Sequence, residues 1–179
     1  MSDPLAELRS ALDDESVDGP RIASMATVDA GGRPHVRSVV CRRIGPGSIW
    51  IASDARSDKN GQVRANPAVE LAFWLPRRRE QFRVAGRVEF LGPEDRKEIW
   101  SAMSDSARAL FAWPDPGRPR VASAEDFPRS VAADAPLPET FELLAVVVDQ
   151  VEHLELSQHP QRRRRWRAEA GWRAEELNP

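Results

Sequence analysis

Three short polar segments of this chain lie where predicted strands begin or end, and their side chains could carry chemistry. Residues 37–42 place arginines in a β-branched strand, residues 53–59 form a turn between a strand and a helix, and residues 79–81 open a strictly alternating strand. In the turn, hydroxyls, an arginine and a lysine meet backbone N–H groups at a helix start, a place that favours an anion. The turn therefore indicates an anion site.

Each segment has an ordinary structural explanation when it is considered alone. Residues 37–42 could form an edge strand with outward charges, residues 53–59 a solvated and capped turn, and Gln81 a surface amide. Lys59 carries more weight, because all but two of the 26 basic residues are arginines. Cys41 has apolar neighbours on its strand, which is typical of a small core residue rather than of a reactive thiol.

The elements that must position these segments are mostly strands, identified by period-two alternation and by turn residues. We predict strands over residues 21–30, 34–44, 48–53, 68–75, 81–90 and 141–156, and a C-terminal hairpin over 160–179 that turns at Gly171. The strand 81–90 is the most regular one, with Phe82, Val84, Val88 and Phe90 on one face.

Helices are inserted between these strands. They are predicted over 57–66, over 93–103 and, within the N-terminal segment 1–18, over 3–15 with Asp3 as the N-cap. Residues 114–139 are rich in proline and lack periodicity, so we expect an irregular excursion there. This order predicts a mainly β fold with inserted helices (α+β), arranged as an antiparallel barrel and not as a βαβ fold.

Composition bounds the class of protein. The chain has 179 residues, 41% hydrophobic and 30% charged, with a formal net charge of −2, which is typical of one globular domain. It contains no apolar run of about 20 residues and no secretory signal pattern, so we expect a cytoplasmic protein without membrane contact. The lone cysteine and three scattered histidines argue against a metal site. The slight acidity argues against nucleic-acid binding despite the arginines at 162–165.

In their order along the chain, the segments RSVVCR, ASDARSDK and REQFRVAG resemble the pyridoxamine 5′-phosphate oxidase family. They are most similar to its oxidase-related, FMN-binding branch, in which a D-x-R-S-x-K turn is followed by a Q-F-R-x-x-G strand. Residues 100–119 and 151–179 are similar to the same branch, and the resemblance covers residues 20–179.

The resemblance implies a split β-barrel homodimer that binds FMN in two clefts at the subunit interface. By position it places one strand along the flavin and the phosphate, a small hydroxyl residue after the third strand, and a turn that holds the phosphate. It also places a glutamine against the flavin ring, and it brings an arginine to FMN from the partner's C-terminal hairpin. These cofactor-binding residues are Arg37, Ser38, Val39, Val40, Cys41, Arg42, Ser53, Arg56, Ser57, Lys59, Gln81 and Arg164. The register of the last assignment is open by one or two positions within 162–165.

The expected function is an FMN-dependent oxidoreductase that passes a hydride between a small-molecule substrate and FMN. A non-catalytic flavin carrier is an alternative, and a haem-binding split barrel, with His153 or His159 as axial ligand, is another. The R-x-H-x-R pattern of the oxidase itself is absent, because the aligned stretch 160–164 has no histidine. We therefore expect pyridoxamine 5′-phosphate to be a poor substrate. Thr27 and Val28 are expected to supply packing only.

Overall fold

The computed structural model describes residues 3–15, 21–120 and 122–179. Its strands are β1 Ile22–Val28, β2 Pro34–Gly45, β3 Ser48–Asp54, β4 Ala68–Leu75, β5 Glu80–Phe90, β6 Phe141–Glu155, β7 Arg162–Arg167 and β8 Glu175–Leu177. Its α-helices are α1 Pro4–Glu15, α2 Asp58–Ala65, α3 Pro93–Ala102 and α4 Asp105–Ala109. Every predicted strand and helix is present, with boundaries that differ by at most a few residues.

Six strands close into an antiparallel barrel in the order β3-β2-β1-β4-β5-β6, and the pairing of β3 with β6 completes the ring. Strand β6 divides one of its edges between two partners. Its first half, 141–147, pairs with β3, and its second half, 150–155, pairs with β7. The β7–β8 hairpin thus extends the sheet where the barrel opens, which confirms the predicted antiparallel split barrel.

The barrel interior is filled by the alternating apolar side chains of its strands, and helix α1 covers one side of this core. Leu5, Leu8 and Ala11 of α1 belong to the same buried cluster as the barrel residues. The Asp3 carboxylate accepts a hydrogen bond from the Leu5 N–H at 3.1 Å, as expected of the predicted N-cap.

A second, smaller core joins helix α3 to the start of β6. Trp100, Phe111 and Phe141 pack edge to face there, with ring centroids 4.9–5.9 Å apart. It anchors the irregular excursion, in which the described residues contain a 3₁₀ turn at Ala124–Asp126 and no strand.

Phe90 lies on the predicted face of β5 but is 37% exposed, because the strand ends there; the Arg64 guanidinium lies 4.0 Å from its ring centroid. Residues 1, 2 and 16–18 of the predicted N-terminal segment lie outside the described residues. Within the described ranges no helix is both long enough and apolar enough to span a membrane.

Gly86 permits a close approach between barrel strands β5 and β6. The β5–β6 register shifts between Ala85 and Gly86, and a Cβ at Gly86 would overlap the carbonyl oxygen of Val147. Backbone atoms cannot move away as a flexible side chain could, so only glycine fits. This contact explains the glycine of the Q-F-R-x-x-G segment.

We predict that Gly86→Ala destabilises the fold by about 1–3 kcal/mol, the usual cost of forcing an extra methyl group into a packed site. Gly61→Ala is a matched control, since a Cβ there meets open space in helix α2; it should be neutral or stabilise by about 0.5–1 kcal/mol. Urea unfolding of both variants measures the difference, and equal stabilities would contradict the packing argument.

Candidate functional site

A cluster of polar side chains lies at one end of the barrel, where β1, β2 and α2 meet. The Arg37 guanidinium donates to the Thr27 hydroxyl at 2.6 Å and to the Gln62 side-chain oxygen at 2.8 Å. The Thr27 hydroxyl donates to the same Gln62 oxygen at 2.6 Å. Arg37 is thus oriented by neutral groups, and its charge is not neutralised by them.

Lys59, in the first turn of α2, lies beside this group. Its ammonium donates to the Ser57 hydroxyl at 2.7 Å, and that hydroxyl donates to the Asp54 carbonyl at 2.7 Å. Ser57 is also the N-cap residue of α2. Burial lowers the pKa of Lys59; among its neighbours, Asp54 opposes the shift and Arg37 adds to it. Thr27, Arg37, Ser57, Lys59 and Gln62 are called the basic cluster below.

The basic cluster holds two partly buried cations without a counter-ion. Within the described residues, neither Arg37 nor Lys59 has a carboxylate oxygen within 4.0 Å, whereas most other half-buried arginines are ion-paired. Burial also lowers the pKa of Arg37. Placing two like charges together in a partly desolvated site is unfavourable unless an anion joins them. A cleft of about 480 Å³, lined by Ser57, Gln62 and Arg56, borders the cluster.

Arg56, which the resemblance assigns to the phosphate, is already paired within the chain. Its guanidinium binds both carboxylate oxygens of Asp54, at 3.0 and 2.7 Å, and one of Asp115 at 2.9 Å. It also donates to the Trp113 carbonyl at 3.0 Å. The hydrogen bonds to Asp54 raise the pKa of Arg56. The side chain lines the cleft and at the same time ties the turn after β3 to the excursion.

Ser53 faces the interior and not the cleft. It is buried, and its hydroxyl donates to the Asn60 side-chain oxygen at 2.5 Å. The Asn60 amide in turn donates to Glu142 on β6. These contacts tie the end of β3 to α2 and to the barrel, so Ser53 determines where the turn lies.

The strand segment 37–42 divides between two faces. Val39 and Cys41 point into the core, and burial raises the pKa of the Cys41 thiol to about 12. Ser38 is exposed, while Val40 and Arg42 are half-buried on the outer face. Arg42 lines a second cleft of about 300 Å³, and its Nε atom is buried without a hydrogen-bond partner among the described residues.

Gln81 and Arg164 lie on opposite faces of the sheet. Gln81 is on the outer face, in a cross-strand row with Leu154 and Arg163 that borders a small pocket of about 90 Å³. The Arg164 guanidinium points the other way and contacts Glu155 at 3.2 Å and Glu7 at 3.1 Å. Within one chain the structure therefore brings Arg163, and not Arg164, beside Gln81.

His153 is the buried centre of the contacts around Arg164. Its Nδ1 accepts from the Arg164 guanidinium at 2.9 Å, its Nε2 lies 3.1 Å from Glu80, and its ring stacks on Phe82 at 4.0 Å. A nitrogen that accepts carries no proton, so the Nε2–H donates to Glu80 and the ring is neutral. Burial lowers the pKa of His153, against the opposing effects of Glu155 and Glu80.

Sequence reasoning missed two members of the basic cluster. The expectation that Thr27 supplies packing only is wrong, since its hydroxyl bonds to both Arg37 and Gln62. The strand alternation gave the available signal, because Thr27 lies on the same buried side of β1 as Ala23 and Met25. A buried hydroxyl needs a hydrogen-bond partner. Gln62 carried no signal, because its role depends on where α2 packs.

We predict that the free energy of unfolding decreases as the pH falls through and below about 6.5, the ordinary pKa of histidine. The pKa of His153 is lowered in the fold, so the unfolded chain binds more protons over this interval and acid favours unfolding. His153→Gln retains a donor for Glu80 and should flatten this part of the profile. Urea unfolding across about pH 5–8 measures both slopes, and parallel slopes would show that His153 does not titrate on unfolding.

Comparison with known proteins identifies relatives of this chain. A family model described as the FMN-binding domain of pyridoxamine 5′-phosphate oxidase matches residues 4–92. The pyridoxine/pyridoxamine 5′-phosphate oxidase 2 of Arabidopsis thaliana is 31% identical over 145 residues, which cover 74% of this chain and 72% of that protein. A Pseudomonas putida oxidase is 31% identical over 102 residues, which are 57% of this chain; the match spans only about half of that relative's length, 47%.

A solved structure agrees over the full length. The pyridoxamine 5′-phosphate oxidase-related, FMN-binding protein of Nostoc punctiforme superimposes with a TM-score of 0.89 at 32% identity, covering 100% of this chain and 99% of that one. The resemblance seen in the three sequence segments is thereby confirmed. The chain belongs to the pyridoxamine 5′-phosphate oxidase family of FMN-binding proteins.

Proposed function

We propose that this chain binds FMN with the phosphate on the basic cluster and acts as an FMN-dependent oxidoreductase on a small-molecule substrate. The observation that carries the proposal is the pair of partly buried cations, Arg37 and Lys59, which have no carboxylate partner among the described residues. A phosphate dianion supplies the two missing negative charges. A guanidinium fork and an ammonium are the donors best suited to phosphate oxygens, and the N-terminus of α2 adds a favourable field.

Bound FMN would supply hydride acceptance and donation, and the side chains of this chain would bind and orient it. Thr27 and Gln62 fix the Arg37 fork before the ligand arrives, which reduces the entropy lost on binding. The unpartnered Nε of Arg42 and the side chain of Gln81, both on the outer face of the barrel, offer donors to the flavin or its substrate. Arg56 holds the turn in place through Asp54.

We also propose that the protein is a homodimer, with FMN at the interface as in the family. Outward positions of the neighbouring strands β1, β2 and β4 carry large apolar side chains; Val36 is 69% exposed and Trp74 53%. A second copy would cover this face, and obligate interfaces commonly bury more than about 2,000 Å². Sedimentation should show a stable dimer at micromolar concentration, and a stable 20.0 kDa monomer would contradict it.

The phosphate assignment is tested by comparing FMN with riboflavin, which lacks the phosphate. Arg37→Gln and Lys59→Ala should each weaken FMN binding about 10- to 150-fold, the loss of one charge-assisted contact, with little effect on riboflavin. Arg56 is part of the same sequence-based assignment. If it acts as a brace, Arg56→Ala will weaken both ligands alike; if it contacts the phosphate, it will weaken FMN alone.

Titrations that follow flavin fluorescence give these affinities. Lys97→Ala is the matched control, because Lys97 is an exposed lysine on α3, and it should bind FMN as the parent does. Parent-like FMN affinity in both the Arg37 and the Lys59 variant would place the phosphate elsewhere. A Soret band in place of a flavin spectrum would instead favour haem, although both ring nitrogens of His153 are engaged by protein groups.

Pyridoxamine 5′-phosphate is proposed to be a poor substrate. The aligned C-terminal stretch lacks the family's histidine, and its arginines are paired within the chain: Arg162 with Glu176, and Arg163 with Glu152, each at 2.6 Å. An arginine cannot replace a histidine acceptor. The measurement is formation of pyridoxal phosphate under air by the FMN-loaded protein. A kcat/KM of about 10⁴ M⁻¹s⁻¹ or more would overturn the expectation.

A further inference from the structure

A cleft of about 440 Å³ opens in the irregular excursion and borders the candidate site. Asp54, which Arg56 holds, forms part of its wall, and the rest comes from residues 110, 113–120, 122 and 127. A cavity of this size can hold a small organic molecule. None of the cofactor-binding residues assigned by the resemblance lines it.

Much of the wall of this cleft is apolar, and Trp113 is its largest side chain. Trp113 is 36% exposed, and its indole N–H donates to the Pro128 carbonyl at 2.9 Å while its ring meets Phe127 edge to face at 5.4 Å. Leu110, 46% exposed, and prolines 114, 116 and 119 complete the apolar lining. A fixed indole among prolines offers flat contact surfaces, which favour a planar ring over a flexible chain.

The rim of the cleft carries positive charge that its own carboxylates do not neutralise. Asp54 and Asp115 are both bound by Arg56. Arg118 and Arg120 make no hydrogen bond or ion pair with the residues that the structure describes. Arg120 lies 4.9 Å above the Phe127 ring, a stacking that leaves the N–H edge of its guanidinium open. Two open guanidinium groups beside an aromatic wall are suited to a carboxylate on a planar ring.

We propose that this cleft binds planar aromatic carboxylates, with the ring against Trp113 and the acid on Arg118 and Arg120. The substrate of the oxidoreductase then belongs to this class. The substrate assignment rests on the proposed FMN function, whereas binding of the carboxylate to the cleft does not depend on it. Arg56 connects the two sites, because the same guanidinium contacts the turn of the basic cluster and the Trp113 carbonyl of the cleft.

The test is calorimetric titration of the full chain, without FMN and loaded with FMN, using three probes. These are 2-naphthoate, its neutral amide 2-naphthamide, and the non-planar decalin-2-carboxylate. We expect 2-naphthoate to bind at least about tenfold more tightly than either other probe. Equal binding of the amide would contradict recognition of the carboxylate by the charged rim. Equal binding of the decalin acid would contradict recognition of a planar ring by the wall of the cleft.

Variants locate the binding. The double variant Arg118→Gln, Arg120→Gln should lose at least about tenfold in affinity for 2-naphthoate and nothing for 2-naphthamide. Arg129→Gln, at an exposed arginine of the same segment, is the matched control and should bind as the parent does. Trp113→Leu keeps an apolar side chain but loses the flat surface, so it should weaken both naphthyl probes.

The arginine variants change exposed side chains, so they keep the test decisive if Trp113→Leu fails to fold. Parent-like 2-naphthoate binding in the double arginine variant, or no binding by the parent, would overturn the proposal. These results are independent of the FMN titration. Binding of 2-naphthoate without binding of FMN would support the proposed cleft and refute the proposed FMN-dependent reaction. Binding of FMN without binding of 2-naphthoate would refute the proposed cleft and leave the FMN proposal standing.

Discussion

The pairing of one long strand with two different partners is the constraint on which the rest of this structure depends. Strand β6 closes the barrel against β3 and then continues as the edge to which β7 binds. Its close approach to β5 at Gly86 keeps the three strands in register. Because β3 is held along its whole length by β6, the turn that follows it begins at a defined position. The polar groups of that turn therefore rest on the barrel and not on a free loop.

Charge distribution distinguishes the basic cluster from the rest of a chain that is rich in arginine. Most other arginines of the sheet are matched with carboxylates, as in the cross-strand pairs Arg163–Glu152 and Arg165–Glu175. Such pairs link neighbouring strands of the sheet beyond the barrel, and the charge of each paired arginine is neutralised within the chain. At the basic cluster the partners of Arg37 and Lys59 are a hydroxyl, an amide oxygen and another hydroxyl. Neutral acceptors orient a cation without cancelling it, which is what a preformed anion site requires.

The sequence allowed the strands and the turn to be predicted, because period-two alternation and helix-start chemistry are local properties. The anion site at this turn was therefore predicted from its hydroxyls, an arginine and Lys59 at a helix start, and it stays a prediction. Contacts between distant elements were not accessible in this way. Gln62 reaches Arg37 across 25 positions in sequence, and Arg56 reaches Asp115 across 59. Neither partner is marked by its neighbours along the chain.

The direction of a side chain across the sheet was equally hard to predict near the C-terminus. In the run 162–165 every residue is arginine, so a shift of one position leaves the composition unchanged but moves each side chain to the opposite face. The pairing of Leu154 with Arg163 decides the register, and it places Arg164 among Glu7, Glu155 and His153.

The Asp54–Arg56–Asp115 contact directly links the end of barrel strand β3 to the cleft in the proline-rich excursion. A single guanidinium there holds two carboxylates that belong to different elements of the fold. Loss of Arg56 would leave both carboxylates unpaired, one at the turn of the basic cluster and one at the cleft. The turn after β3 and the proline-rich excursion are therefore joined electrostatically, although they are separated in sequence and belong to different parts of the fold.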